Sequence, residues 1–352
     1  MPKYFLELKL RHPYIQKINS IDELNSSQII LLPWNTINNN LKAIPITNNY
    51  YTKTNKGTIQ VFSFRLSNDG YLDFLSNNIE ITIGGTVVLA RGVHKAIQRN
   101  NNIHFPWNGT RHLFEGSDIN VINFKSPLVE DFSYPKSSWV LVGKKIYAKA
   151  LQELNINVAS IAGNHMGDAK ESGFLETIQT LNQNNIIHVG GGINFKEAYQ
   201  CKVIQKKSTR IGFLGFNNVM GSISKANKNK PGIAWLDKDA LFSIETCKKN
   251  VDFLIVLVNW GTEYTHYPRN RERNYAHQMV DAGADLIIGD QAHWVQAHEK
   301  IKDSHVSYGL GNYIFDQHWS QKTTEGIIQK FTIYNSKLSS IKTIPIHLIL
   351  TG

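Results

Sequence analysis

A layered α/β domain is the fold this sequence predicts, because short apolar runs that end in polar clusters alternate with segments of helical spacing. Three runs carry the pattern: Asn157–Ile161 before Gly163-Asn164-His165, Phe253–Val258 before Asn259-Trp260-Gly261, and Leu286–Ile288 before Gly289, Asp290, Gln291 and His293. Runs of this kind are too short for helices and too apolar for strands with a wet face, so they read as strands buried on both sides. Between them, Gly173–Asn182 and Asn270–Ala282 read as helices; in the second, Tyr275, Ala276, Met279 and Val280 share a stripe and Gly283 is placed to cap the C-terminus. Strands alternating with helices favour stacked layers, and open sheets of this type place ligands at the carboxyl ends of their strands.

Taken in chain order, the opening residues MPKYFLELKLRHPYIQ interleave charges with apolar positions and read as neither a signal peptide nor a membrane span. Ile29–Trp34 and Gln60–Leu66 read as strands, and residues 36–57, crowded with Asn, Thr and Lys, as a polar loop between them. The composition changes near residue 78. Residues 1–78 are therefore expected to form a small N-terminal appendage, 79–335 the α/β domain, and 336–352 a C-terminal tail in which Leu338–Leu350 alternates weakly enough to add a final strand. Within the domain, Ile186–Val189 reads as a strand followed by a tight turn at Gly190-Gly191-Gly192, and Ser224–Gly232 as a solvated connection. No heptads or internal repeats occur.

At 352 residues, with 41% hydrophobic and 11% aromatic content, the chain can bury a substantial core. A formal net charge of +10 favours acidic partners. Nucleic acid ranks last among them, because the basic residues are dispersed and neither zinc-finger spacing nor an RNA-recognition signature occurs. Cys201 and Cys247 stand alone, outside any CxxC, and are read as ordinary core residues, neither a disulfide framework nor a thiolate metal site.

An ordered series of motifs carries a family resemblance: Gly84-Gly85-Thr86 through Arg91, Asn123 with Ser126-Pro127-Leu128, Gly163-Asn164-His165 with Asp168, and Gly190-Gly191-Gly192 with Glu197-Ala198. It continues with Asn259-Trp260-Gly261, Glu263-Tyr264, Gly283-Ala284-Asp285, Gln291-Ala292-His293 and Tyr308-Gly309-Leu310-Gly311-Asn312. Through these residues the chain resembles the CapA family, named for capsular poly-γ-glutamate synthesis, whose domain is similar to the calcineurin-like metallophosphoesterases. The resemblance implies a four-layer αββα sandwich of the metallophosphoesterase type. The chain departs from the family where many relatives have Gly-Asp and this one has Gly85-Thr86, and where Asn-Leu-Glu has become Asn123-Phe124-Lys125. Likewise His-Trp-Gly has become Asn259-Trp260-Gly261, and Gly-His-His-Pro-His has become Gly289-Asp290-Gln291-Ala292-His293.

Carried over residue by residue, the resemblance implies metal ligation by Asn164 and His293, with Asp290 and Asn259 completing a set for one divalent ion, manganese, zinc or magnesium, or for none. It gives His165 the role of proton donor or transition-state stabiliser, suited to an imidazole that titrates near neutrality. Glu263 is the second catalytic candidate. Lys125, in place of a family Glu, shifts a cation site toward anion recognition, and Asn123, Gln291, Trp260, Trp294 and Arg91 complete the expected substrate contacts. Asn123, Asn164, His165, Asn259, Glu263, Asp290 and His293 are expected to converge on one cleft.

Two functions remain open at this point. One is a hydrolase or transferase of amide or ester links in an anionic polymer such as poly-γ-glutamate, or in a small anionic substrate. The other is a non-catalytic polymer-binding accessory protein of a membrane capsule synthesis or export complex. Both place the chain at the cell envelope, on the extracytoplasmic side.

Overall fold

The structure is a computed structural model that describes residues 50–54, 57–61, 77–133 and 139–349. The chain divides into two units, Met1–Asn78 with Ile333–Asn335 and Ile79–Thr332 with Ser336–Gly352. In the first, Tyr50–Thr54 pairs antiparallel with Gly57–Val61 as a hairpin, so part of the stretch expected to be loop is strand. The expected strand at Ile29–Trp34, and Gln60–Leu66 beyond Val61, lie outside the described residues.

Thirteen strands organise the rest: β1 (Ile79–Val87), β2 (Ile119–Phe124), β3 (Ile156–Ser160), β4 (Ile187–Val189), β5 (Lys202–Lys206), β6 (Thr209–Asn217), β7 (Phe253–Asn259), β8 (Leu286–Asp290), β9 (His298–Ile301), β10 (Ser304–Ser307), β11 (Asn312–Ile314), β12 (Glu325–Tyr334) and β13 (Lys337–His347). The principal helices are α1 (Arg91–Arg99), α2 (Tyr147–Glu153), α3 (Lys170–Gln183), α4 (Lys238–Lys248) and α5 (Asn270–Asp281). One sheet has seven strands in the order β13-β12-β1-β2-β3-β4, with β11 also paired to β1; the other has six, in the order β5-β6-β7-β8-β10-β9. The central pairs of both are parallel.

Side-chain alternation explains why every residue of β7 is buried. Leu254, Val256 and Val258 pack with Ala240 and Ile244 of α4 and Ala276 and Met279 of α5. Ile255, Leu257 and Asn259 therefore take the opposite face. On the other sheet Ile122 and Phe124 pack with Leu151 of α2 and Phe174 and Ile178 of α3, which leaves Val121 and Asn123 on the face away from those helices. The two faces without helices meet each other. At Gly190, where φ is +79°, an added Cβ would come within 2.8 Å of the Gly215 carbonyl carbon, so the sheets touch where neither strand carries a side chain. The result is helix, sheet, sheet, helix.

Both expected helices appear, the first with longer limits and the second ending one residue earlier, and Gly283 follows α5 with φ +112°, the conformation a C-terminal cap requires. The cysteine expectation is corrected: Cys201 and Cys247 form a disulfide, with Cα atoms 5.6 Å apart. Nothing in their 46-residue separation signals this. Packing of α4 against the second sheet brings the two together, and only the assembled layers contain that proximity.

Candidate functional site

Strand register sets two polar rows against each other. In the six-stranded sheet Asn217, Asn259 and Asp290 are aligned neighbours at the carboxyl ends of β6, β7 and β8. In the seven-stranded sheet Asn312, Thr86, Asn123 and Ser160 are aligned across β11, β1, β2 and β3. All seven are buried. Polar groups withdrawn from water need partners, and the rows supply two such bonds themselves. Thr86 donates its hydroxyl to Asp290 Oδ1 across the inter-sheet space, and Asn259 Nδ2 donates to Asn217 Oδ1 at 2.6 Å.

Lys125, immediately after β2, ties this level together. Its Nζ lies 3.1 Å from Asp290 Oδ2 and donates to Gln291 Oε1 at 2.8 Å. Gln291 Nε2 donates in turn to Glu263 Oε1 at 3.0 Å, and His293 Nε2 lies 3.7 Å from the same oxygen. The other ring nitrogen of His293 pairs with Asn312 Oδ1 at 3.0 Å. Lys125 and Asp290 are each only 2% exposed. Burial pushes the lysine pKa below its usual value, and Asp290 opposes that shift. A carboxylate at this position is the counter-charge that a buried ammonium requires. The facing His293 imidazole holds the Glu263 carboxyl below its ordinary range despite partial burial, with help from Lys125.

Above this layer opens a cleft of roughly 220 Å³. Arg91, Lys125, Asn164, His165, Glu263, Gln291 and His293 all contribute to it, so the cleft brings together positions distant in sequence. Asn123, Asn259 and Asp290 lie buried at the strand ends. Asn123 Nδ2, Asn164 Oδ1 and Asn259 Oδ1 are buried with no hydrogen-bond partner among the described residues. His165 Nδ1 pairs with Asp168 Oδ2 at 2.8 Å, and Leu141 N–H donates to that same oxygen at 2.7 Å. Asp168 thus fixes the ring and leaves Nε2 for the cleft. Four cleft residues have left-handed backbone: Arg91 (φ 49°), Tyr264 (φ 61°), Gln291 (φ 96°) and His293 (φ 58°). For side-chain-bearing residues this costs on the order of 1–3 kcal/mol each, and such strain gathers where function requires it.

Besides Asn123, two expected substrate contacts fall elsewhere. Trp260 is 1% exposed, stacks on Tyr308 and donates Nε1–H to the Tyr308 carbonyl, within the cluster that joins the six-stranded sheet to its helices. It is a core residue because it follows Asn259 by one position and alternation turns it to the helix side. Trp294 does not line the cleft; its ring backs Tyr264 and His266. The exposed aromatic lips are instead Trp139, Trp319 and Tyr264, at 78%, 55% and 37% exposure. Trp139 and the roles of Asp168, Asn217 and Asn312 escaped the sequence reading; the three-residue spacing of His165 and Asp168 was the available signal. Lys125, expected as a rim residue for anions, has its ammonium turned inward to Asp290 and Gln291.

Among the described residues no three His, Cys, Asp or Glu side chains cluster so as to hold a metal ion. Of the four expected ligands, Asn164 and Asn259 offer only neutral amide oxygens, and His293, whose Nδ1 pairs with Asn312, offers Nε2 alone. Asp290, the one carboxylate, is neutralised by Lys125. A divalent ion sharing Asp290 with the ammonium would be repelled by it, by several kcal/mol at separations of about 4 Å and an effective dielectric near 20. This donor set does not fit a divalent ion.

Residues 80–317 match the family model described as "Bacterial capsule synthesis protein PGA_cap". The chain is 28% identical over 282 residues to the capsule biosynthesis protein CapA of Bacillus anthracis, covering 78% of this chain and 68% of that one. It is 30% identical over 250 residues to the PGA biosynthesis protein CapA of Bacillus subtilis, covering 70% and 65% respectively. A probable polyglutamine synthesis accessory protein of Mycobacterium tuberculosis is 24% identical over 250 residues, covering 66% of this chain and 65% of that one. The chain thus spans about two thirds of the length of these relatives. Among solved structures, a putative 5'-nucleotidase from Staphylococcus aureus superposes with a TM-score of 0.48 at 13% identity, over 77% of this chain and 55% of that one. The NAD nucleotidase of Haemophilus influenzae gives 0.46 at 12% identity, over 77% and 56%. With its motifs in family order and more than half its length matched, the chain belongs to the PGA_cap family of bacterial capsule synthesis proteins.

Proposed function

We propose that this chain acts in the synthesis or export of an anionic, amide-linked envelope polymer of the poly-γ-glutamate type, and that the cleft binds the polymer and cleaves or transfers its links. The names of its Bacillus relatives support the polymer class. An extracytoplasmic location is supported by the Cys201–Cys247 disulfide, since such bonds persist in oxidising compartments. No described helix is long and apolar enough to cross a membrane.

The observation that carries a catalytic reading is the His165–Asp168 pair at the cleft wall. With Nδ1–H donated to Asp168, the neutral imidazole has an acceptor at Nε2. In this reading Nε2 takes a proton from water as the oxygen attacks the amide carbonyl, then returns it to the departing amine as the C–N bond breaks. Glu263 and Gln291 lie across the same cleft and can orient the polymer backbone. The Trp139 and Trp319 lips offer flat apolar surface to successive amide planes.

A second reading, binding without turnover, is favoured by the neutral Lys125–Asp290 pair at the centre of the site and by the accessory role in the name of the Mycobacterium relative. Incubation with γ-linked glutamate oligomers, following released α-amine, separates the two. Turnover abolished in His165→Ala supports the catalytic reading. Binding that weakens with salt but releases no amine supports the accessory one, and absence of binding overturns both.

A further inference from the structure

We propose that the Lys125 ammonium is the resident cation of this site, taking the place a divalent metal would hold between the two sheets. The inference rests on the cleft being the functional site but not on the reaction performed there. Three observations carry it.

The first is position. Lys125 follows the end of β2 in one sheet and Asp290 ends β8 in the other, and the ammonium bridges them at 3.1 Å, with both residues out of solvent. The hydroxyl of Thr86 reaches the second Asp290 oxygen from the lysine's own sheet. A cation linking carboxyl strand ends across an inter-sheet space is therefore already present, as a covalent part of the chain.

The second is that the surroundings are shaped for it. The lysine stem passes over Gly163, where an added Cβ would stand 3.0 Å from Lys125 Cγ. Gln291 presents its amide oxygen to Nζ and its amide nitrogen to Glu263, an orientation that suits an ammonium donor. Gln291 adopts φ 96° to do so.

The third is charge. Lys125 and Asp290 sum to zero, while Asn164 and Asn259 are neutral, so the buried layer holds no net negative charge to repay the dehydration of a divalent ion. Thr86, Asn259 and Gln291 are neutral hydrogen-bonding groups, and Lys125 supplies the single positive charge at this level.

The test is metal binding, read separately from activity. Wild-type protein purified without chelators is assayed for metal by mass spectrometry and titrated calorimetrically with manganese and with zinc. The expected result is less than 0.1 equivalent bound, on the order of background, and no change in melting temperature on adding either ion or EDTA. Lys125→Glu, which exchanges the ammonium for a carboxylate beside Asp290, is expected to bind manganese at least about tenfold more tightly than wild type, with a melting temperature that rises with manganese. Stoichiometric tight metal in the wild type, lost in Asp290→Asn, overturns the proposal. So does a folded Lys125→Glu that binds manganese no better than wild type. Should Lys125→Glu fail to fold, Lys125→Gln takes its place, with gain or no gain of manganese affinity deciding in the same way. None of these outcomes depends on whether the protein turns over a polymer.

Discussion

Replacing Lys125 with methionine isolates the buried ion pair. Methionine keeps most of the stem volume over Gly163, so the cavity created is small and the loss is chiefly electrostatic. Asp290, 2% exposed, is left with the Thr86 hydroxyl as its remaining partner in this network, and Gln291 Oε1 loses its donor. Breaking a buried pair from one side costs about 3–5 kcal/mol, because the surviving charge stays desolvated. At roughly 2 °C per kcal/mol for a domain of this size, the melting temperature should fall by about 6–10 °C. Urea unfolding followed by tryptophan fluorescence measures the free energy directly. The double variant Lys125→Met with Asp290→Asn removes the stranded charge and should recover part of the loss, with a coupling energy of at least about 2 kcal/mol. The pH dependence gives a second check. Since burial lowers the folded-state pKa of Lys125, the unfolded chain binds more protons between that value and about 10.5, and this group makes stability rise with pH through that window. Lys125→Met should lack that component. A single variant within about 1 kcal/mol of wild type, or one with no coupling to Asp290, would show that the pair contributes little and that the reasoning about a neutralised buried layer is mistaken.

Under the catalytic reading, His165→Ala should lower turnover roughly a hundredfold to ten-thousandfold while changing polymer affinity by less than about twofold. Asp168→Asn should act more weakly, shifting the pH profile of the rate, because Asp168 acts through the ring. Reduction of the Cys201–Cys247 bond, which closes a loop of 46 residues, should cost about 4 kcal/mol by loop entropy, read as a lower urea midpoint in the presence of dithiothreitol; an unchanged midpoint would count against the bond. Burial lowers the His305 pKa to about 4, aided by the neighbouring His298. Its contribution is therefore full above pH 6.5 and is lost as pH falls from 6.5 toward 4, at most about 3 kcal/mol, so His305→Gln should flatten the acid limb of the stability curve.

The sequence by itself determined the layers. Fully apolar runs such as Phe253–Val258 can be stable only as strands covered on both faces, and the stripe of Ala276, Met279 and Val280 only as a helix facing one of them. Period-two alternation also turns Trp260 away from Asn259, information present in the sequence although Trp260 was read as a substrate contact; that Asn259 and Asp290 share an orientation came only from strand register. What tertiary structure decided was pairing between distant segments. Whether the Lys125 ammonium points to solvent or to Asp290 depends on two sheets meeting at Gly190 and Gly215, and no local spacing encodes that approach. The same holds for Cys201 and Cys247, for Thr86 and Asp290, and for His293 and Asn312. Hydrogen bonds and ion pairs act over about 3 Å, so their partners are specified by the assembled core and not by the chain order that builds it.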